Sequence, residues 1–169
     1  MYKTKIKLDP ISGVETVDLF NINPGTGSGC EFVVVTNLET GGPVINLKIE
    51  SDYPVIFKKV DVVNGLIVIG YGNRFAIFNL EGKYITYETS FDGYFGSFEI
   101  DGDDIFVATD SCLLKIKLSG ELIWTSEVLG VDGVVITSIT GPEIRGDGEW
   151  DPPGGWEPFV IDRETGRKI

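Results

Sequence analysis

Two stretches of the sequence, Val60–Ile85 and Phe98–Ile123, repeat one pattern at a constant offset of 38 residues. Asn64-Gly65-Leu66-Ile67-Val68-Ile69-Gly70 falls on Gly102-Asp103-Asp104-Ile105-Phe106-Val107-Ala108 without a gap. Phe78-Asn79-Leu80-Glu81-Gly82-Lys83-Tyr84-Ile85 falls on Ile116-Lys117-Leu118-Ser119-Gly120-Glu121-Leu122-Ile123 in the same register. A period near 40 residues, built of short apolar runs parted by Gly and Asp turns, is the spacing of a four-stranded propeller blade and not of a helical solenoid. The turn punctuation recurs at Asn37–Gly41, Asn79–Gly82, Lys117–Gly120 and Asp162–Gly166, each time between two apolar runs.

Strand faces can be read inside the repeats. Cys112, Leu114, Ile116 and Leu118 form one face, with Lys115 and Lys117 on the other. Ile105, Phe106, Val107 and Ala108 are apolar on both faces, as in an inner strand sandwiched between neighbouring sheets. At the N-terminus, Lys3, Lys5 and Lys7 alternate with Thr4, Ile6 and Leu8, which predicts a half-buried strand over 3–8 and, after the turn Asp9–Gly13, a hairpin. In the first unit the second strand would fall on Pro24-Gly25-Thr26-Gly27-Ser28-Gly29, which is turn chemistry, so the first blade reads as incomplete. In the last unit Gly166 takes the place of Gly120 at an offset of 46, so about eight residues have been added around Arg145–Pro158. The expectation is an all-β chain of antiparallel four-stranded repeats of about 38 residues. It would be propeller-like, with three to four blades in a single domain over residues 1–169, either an open half-propeller or a small ring.

Charge narrows the partner. The net charge of -12 opposes binding to phosphate backbones or to anionic lipid; it favours a basic partner or serves solubility. No apolar segment of signal-peptide or bilayer-spanning length is found, which points to the cytoplasm, and Cys30 and Cys112 read as free thiols there. The sequence has no His, which removes the commonest general base, the commonest metal ligand and every Ser-His-Asp or Cys-His pairing. A non-enzymatic protein without cofactor or metal is expected. Gly25–Gly29 lacks the Lys-Ser/Thr of a phosphate-binding loop and reads as a loop in place of a strand. Asp101, Asp103 and Asp104 crowd one turn without the downstream Glu of a calcium loop, and read as turn decoration or an acidic contact surface.

The strongest local signal is Arg145-Gly146-Asp147-Gly148-Glu149-Trp150-Asp151-Pro152-Pro153-Gly154-Gly155-Trp156-Glu157-Pro158. Two Trp bracket a Pro-Pro-Gly-Gly turn with acids between them, in residues added to a kept register. Loops added to a scaffold commonly carry binding, and Trp is enriched at interface centres. Two readings stand together: a contact element, or two rings folded back to cap the end of the last blade.

Ser51–Phe57, Gly93-Tyr94-Phe95-Gly96-Ser97-Phe98 and, above all, Gly148–Trp156 closing on Phe159–Asp162 resemble a family of small bacterial propeller-like proteins encoded beside secreted toxins. The resemblance covers most of the chain, except Asn21–Cys30. It implies an immunity protein of a polymorphic toxin or contact-dependent growth inhibition system, binding a basic toxin domain, a nuclease, in the cytoplasm. An acidic inhibitor can mimic the substrate of a basic nuclease. The partner-binding candidates are Glu149, Trp150, Asp151 and Trp156, with Tyr94, Phe95, Asp101, Asp103 and Asp104. The alternatives are a propeller-type module for a small molecule or glycan, and a remnant of a quinoprotein-like propeller, whose repeats the turn Leu8–Gly13 resembles.

Overall fold

A computed structural model describes residues 1–20, 29–51, 55–151 and 154–169. Among them are fifteen strands in four sheets. One compact unit takes in Met1–Ile56, Val60–Ile69 and Ile77–Ile85; the other takes in Phe57–Lys59, Gly70–Ala76 and Thr86–Ile169.

The first sheet holds β1 (Tyr2–Lys7), β2 (Thr16–Phe20), β3 (Gly29–Asn37) and β4 (Pro43–Ser51), in the order β1-β3-β4-β2. Two expectations are corrected here. The turn after β1 closes no hairpin, because β1 pairs antiparallel with β3, from Tyr2↔Asn37 to Lys7↔Phe32. The sheet also has four strands, with β1 beside β3 and β2 running parallel to β4. The physical reason is Asn46. Its buried side chain accepts from Ile11 N at 3.1 Å and donates to the carbonyls of Ile11 and Val14 at 3.1 and 3.2 Å. The loop after β1 therefore satisfies its backbone on a distant strand, and needs no tight turn. Of the loop expected at Gly25–Gly29, residues 25–28 lie outside the described residues and Gly29 begins β3.

The second sheet follows the repeat: β5 (Lys58–Val63), β6 (Leu66–Tyr71), β7 (Arg74–Asn79) and β8 (Tyr84–Ser90), hydrogen-bonded in chain order. Asn64 and Gly65, at φ of 51° and 76°, make the β5–β6 turn; both residues tolerate the left-handed region that a two-residue hairpin of this twist requires. The third sheet repeats it with β9 (Phe95–Asp101), β10 (Asp104–Thr109), β11 (Leu113–Lys117) and β12 (Leu122–Thr125). Every residue of β10 is buried, as the two-sided apolar pattern requires.

The fourth sheet has three strands, β13 (Val134–Thr140), β14 (Glu143–Trp150) and β15 (Gly155–Asp162). The residues added to the last unit are not a loop. They lengthen β14 and β15, which pair residue by residue from Glu143↔Asp162 to Trp150↔Gly155. Gly146 and Gly148 are packing residues of β14: a Cβ at either would overlap a carbonyl, of Val135 in the first case and of Leu129 in the second. Phe106, Trp124, Leu129, Val134, Ile144 and Phe159 belong to the core beneath this hairpin.

Candidate functional site

The strand starts of the second compact unit build an open cleft of about 320 Å³. Its position follows from the repeat: Tyr94 stands just before β9, and Phe57 just before β5, 37 residues earlier. Gly72 N donates to Phe57 O at 3.2 Å and Phe95 N donates to Gly72 O at 2.7 Å, so backbone bonds carry the two rings side by side. They stack at 4.9 Å with 10° between planes and form one wall. Trp156 on β15 lines the cleft with them. The turn before β13 is the floor, locked to β14 by Val131 N donating to Glu149 O at 2.7 Å and Glu149 N to Gly133 O at 2.8 Å.

Three groups converge on Gly133. A methyl group placed there would stand 3.2 Å from Cη2 of Trp156, 3.5 Å from the Tyr94 hydroxyl and 3.6 Å from Oε2 of Glu149. The Tyr94 hydroxyl donates to Asp132 O at 2.5 Å, which leaves its oxygen as an acceptor toward the cleft. Burial, followed by the nearby carboxylates of Asp132, Asp110 and Glu149, raises the Tyr94 hydroxyl above its ordinary pKa. The carboxylates of Glu149 and Asp132 form no ion pair among the described residues. The site is thus aromatic on its walls, rich in acceptors and negative. It suits a planar or cationic group better than an anion.

The nine candidates separate into four groups. Glu149, Trp156 and Tyr94 meet in the cleft. Trp150 does not. Glu149 is the register partner of Trp156, so Trp150, one residue on, faces the other side of β14. There it lines a hollow of about 210 Å³ with Leu129 and Phe159, the capping role. Asp151 and Asp103 are exposed.

Phe95 and Asp104 are corrections. Phe95 is fully buried and packs beside Phe98, because β9 turns it into the core. Asp104 is buried at 7% exposure and is surrounded by cations: Lys117, Lys115 at 3.3 Å and Arg163 at 3.3 Å. Arg163 also binds Asp101 at 2.6 Å, but the Asp101 carboxylate stays half exposed, so only Asp104 is consumed inside the protein. Burial alone would raise Asp104; the hydrogen bonds and charges of Lys117, Lys115 and Arg163 outweigh it and hold the carboxyl below its ordinary value. Phe57 and Asp132 were missed. The signal for Phe57 was its place one residue from the repeat equivalent of Tyr94, and for Asp132 its place 38 residues beyond Tyr94.

No protein-family model matches the sequence, and comparison with curated proteins gives no match. Solved structures do match. BamB from Moraxella catarrhalis is similar at TM-score 0.54 and 12% identity over 85% of this chain. The WD40 domain of coronin from Toxoplasma gondii is similar at 0.57 and 14% over 79%, and a chain of a mitotic checkpoint complex at 0.57 and 13% over 96%. The fold is propeller-like. This chain spans 45%, 39% and 53% of those three chains, so the likeness is to about half of each.

Proposed function

We propose that the chain is a protein-binding module of propeller type, that its partner is basic, and that the partner is a toxin domain, a nuclease, neutralised in the cytoplasm. The observation that carries this reading is the cleft face. Trp156 and Phe57 stand 51% and 44% exposed, beside the carboxylates of Glu149 and Asp132, which lack an ion pair among the described residues. Exposed rings among unneutralised acids give a contact surface with anchors and a field for a positive partner. The net charge of -12 extends that field over the protein. The resemblance of Gly148–Trp156 to immunity proteins supports the toxin, the lack of His supports a role without catalysis, and the mitotic checkpoint chain is a propeller-type fold within a complex. The cleft's size and indole wall favour one second reading, a small molecule or sugar stacked on Trp156.

The test is the association rate with the protein encoded beside this chain. Raising salt from about 0.05 to 0.5 M shortens the Debye length from about 14 to 4 Å. Association is expected to slow at least about tenfold, and Asp151→Lys or Asp103→Lys to slow it at low salt. A rate insensitive to salt and to both reversals overturns the reading, as does a neighbour that is neither basic nor a toxin.

A further inference from the structure

We propose that the cleft between the Phe57–Tyr94 stack and Trp156 is a receptor for one arginine side chain of the protein partner, its guanidinium lying on the rings and hydrogen-bonded to the Glu149 carboxylate. This deepens the docking reading and rests on it. Three features of the cleft select that group.

The first is shape. The walls are ring faces, two stacked at 4.9 Å and a third, Trp156, half exposed across the floor at Gly133. A guanidinium is planar and weakly hydrated, so it covers a ring face at little desolvation cost, whereas an ammonium is compact and strongly hydrated. The second is the hydrogen-bond inventory. The polar groups reaching the convergence point are acceptors: the Glu149 carboxylate and the Tyr94 oxygen, whose proton is already given to Asp132 O. Such a set demands donors. A guanidinium has five N–H donors and no acceptor; a quaternary ammonium has no donor and would leave Glu149 buried beneath it without a hydrogen bond. The third is charge. Among the described residues no Lys or Arg lines the cleft, and the two cations that follow Phe57 are engaged elsewhere: Lys58 over the Tyr71 ring at 5.9 Å and Lys59 with Glu99 at 3.0 Å. The positive partner that the carboxylates lack must therefore come from outside the described residues.

The experiment is a titration of the full chain with N-acetyl-arginine-N-methylamide, followed through the indole N–H resonance of Trp156, with the lysine and trimethyl-lysine analogues as competitors. Saturable movement of that resonance is expected, with lysine and trimethyl-lysine each at least about tenfold weaker. Trp156→Leu, which lacks the indole probe and is followed by calorimetry, should abolish binding. Glu149→Gln, a conservative change on the surface of β14, should weaken it about tenfold while the thermal melt stays unchanged. Tighter binding of trimethyl-lysine than of arginine, no movement of Trp156, or full binding by Glu149→Gln overturns the proposal. The two readings fail separately. If the basic protein encoded next door binds both variants as well as the original chain, the docking reading stands and the arginine pocket falls. If arginine binds but that protein does not, the pocket stands and the docking reading falls.

Discussion

The ammonium of Lys115, 2% exposed, lies 3.3 Å from the Asp104 carboxylate and 5.9 Å from the ring centre of Phe106. Two charges on neighbouring strands of one sheet are thus held inside it; Asp104 also meets Lys117 and Arg163, and Lys115 also meets Glu164 at 3.1 Å. Deleting one member of a buried pair leaves the other charged in a poor solvent, a loss of several kcal/mol. Asp104→Ala is therefore expected to lower unfolding free energy by about 3 kcal/mol. Lys115→Met should cost about 1 kcal/mol, because Asp104 keeps Lys117 and Arg163. Urea denaturation of the two variants checks the order; equal losses would contradict it.

Acid acts on the same cluster. The Asp104 carboxyl is depressed in the folded protein relative to its unfolded value near 3.8, so its contribution is fully present above that value and disappears as pH falls through the lower, folded one. Urea midpoints measured between pH 6 and about 2 should fall steeply below about pH 4, and Asp104→Asn should flatten that limb.

The glycines of β14 define a third expectation. Gly148→Ala drives a methyl into the Leu129 carbonyl and should cost about 3 kcal/mol by overpacking. Gly155, at φ 66° with open space around it, should lose only about 1 kcal/mol on the same change, from backbone strain alone. Thermal melts of the pair test whether the close approach, and not glycine as such, matters.

The two tryptophans of the hairpin should behave oppositely. Trp156→Ala should leave the melt within a degree or two and weaken partner binding by about 2 kcal/mol or more. Trp150→Ala should lower the melt, since its ring covers the hollow by Leu129 and Phe159. Partner affinity and melting temperature, measured side by side, separate the contact from the cap.

The fold was legible where its pairings are local. The strands from β5 to β12 pair with their chain neighbours, so one period of 38 residues carried both sheets. It was not legible in β1, whose partner residues lie some thirty positions away, nor in β2, whose parallel pairing to β4 leaves no turn signature. Gly146 and Gly148 misled for a related reason: in a sequence a glycine that admits a close backbone looks like one that makes a turn. Of the candidate contact residues, Glu149, Trp156 and Tyr94, which the structure brings into one cleft, were legible because rings and acids stand out on added or turn residues. Asp104 was misread because its guanidinium partner, Arg163, is 59 residues away, and no local pattern announces an ion pair of that reach.

The placement of β1 also bears on synthesis. Tyr2–Lys7 leaves the ribosome well before residues 32–37, with which it pairs, and β2 awaits residues 46–49. At about 5–20 residues per second, the nascent chain carries these strands unpaired for seconds, while each later hairpin can close as soon as it emerges. Lys3, Lys5 and Lys7 occupy the exposed face of β1, where their charge keeps an unpaired edge from joining another chain. Pulse proteolysis of stalled chains should find residues 1–20 cleavable until β4 is outside the exit tunnel, and protected afterwards.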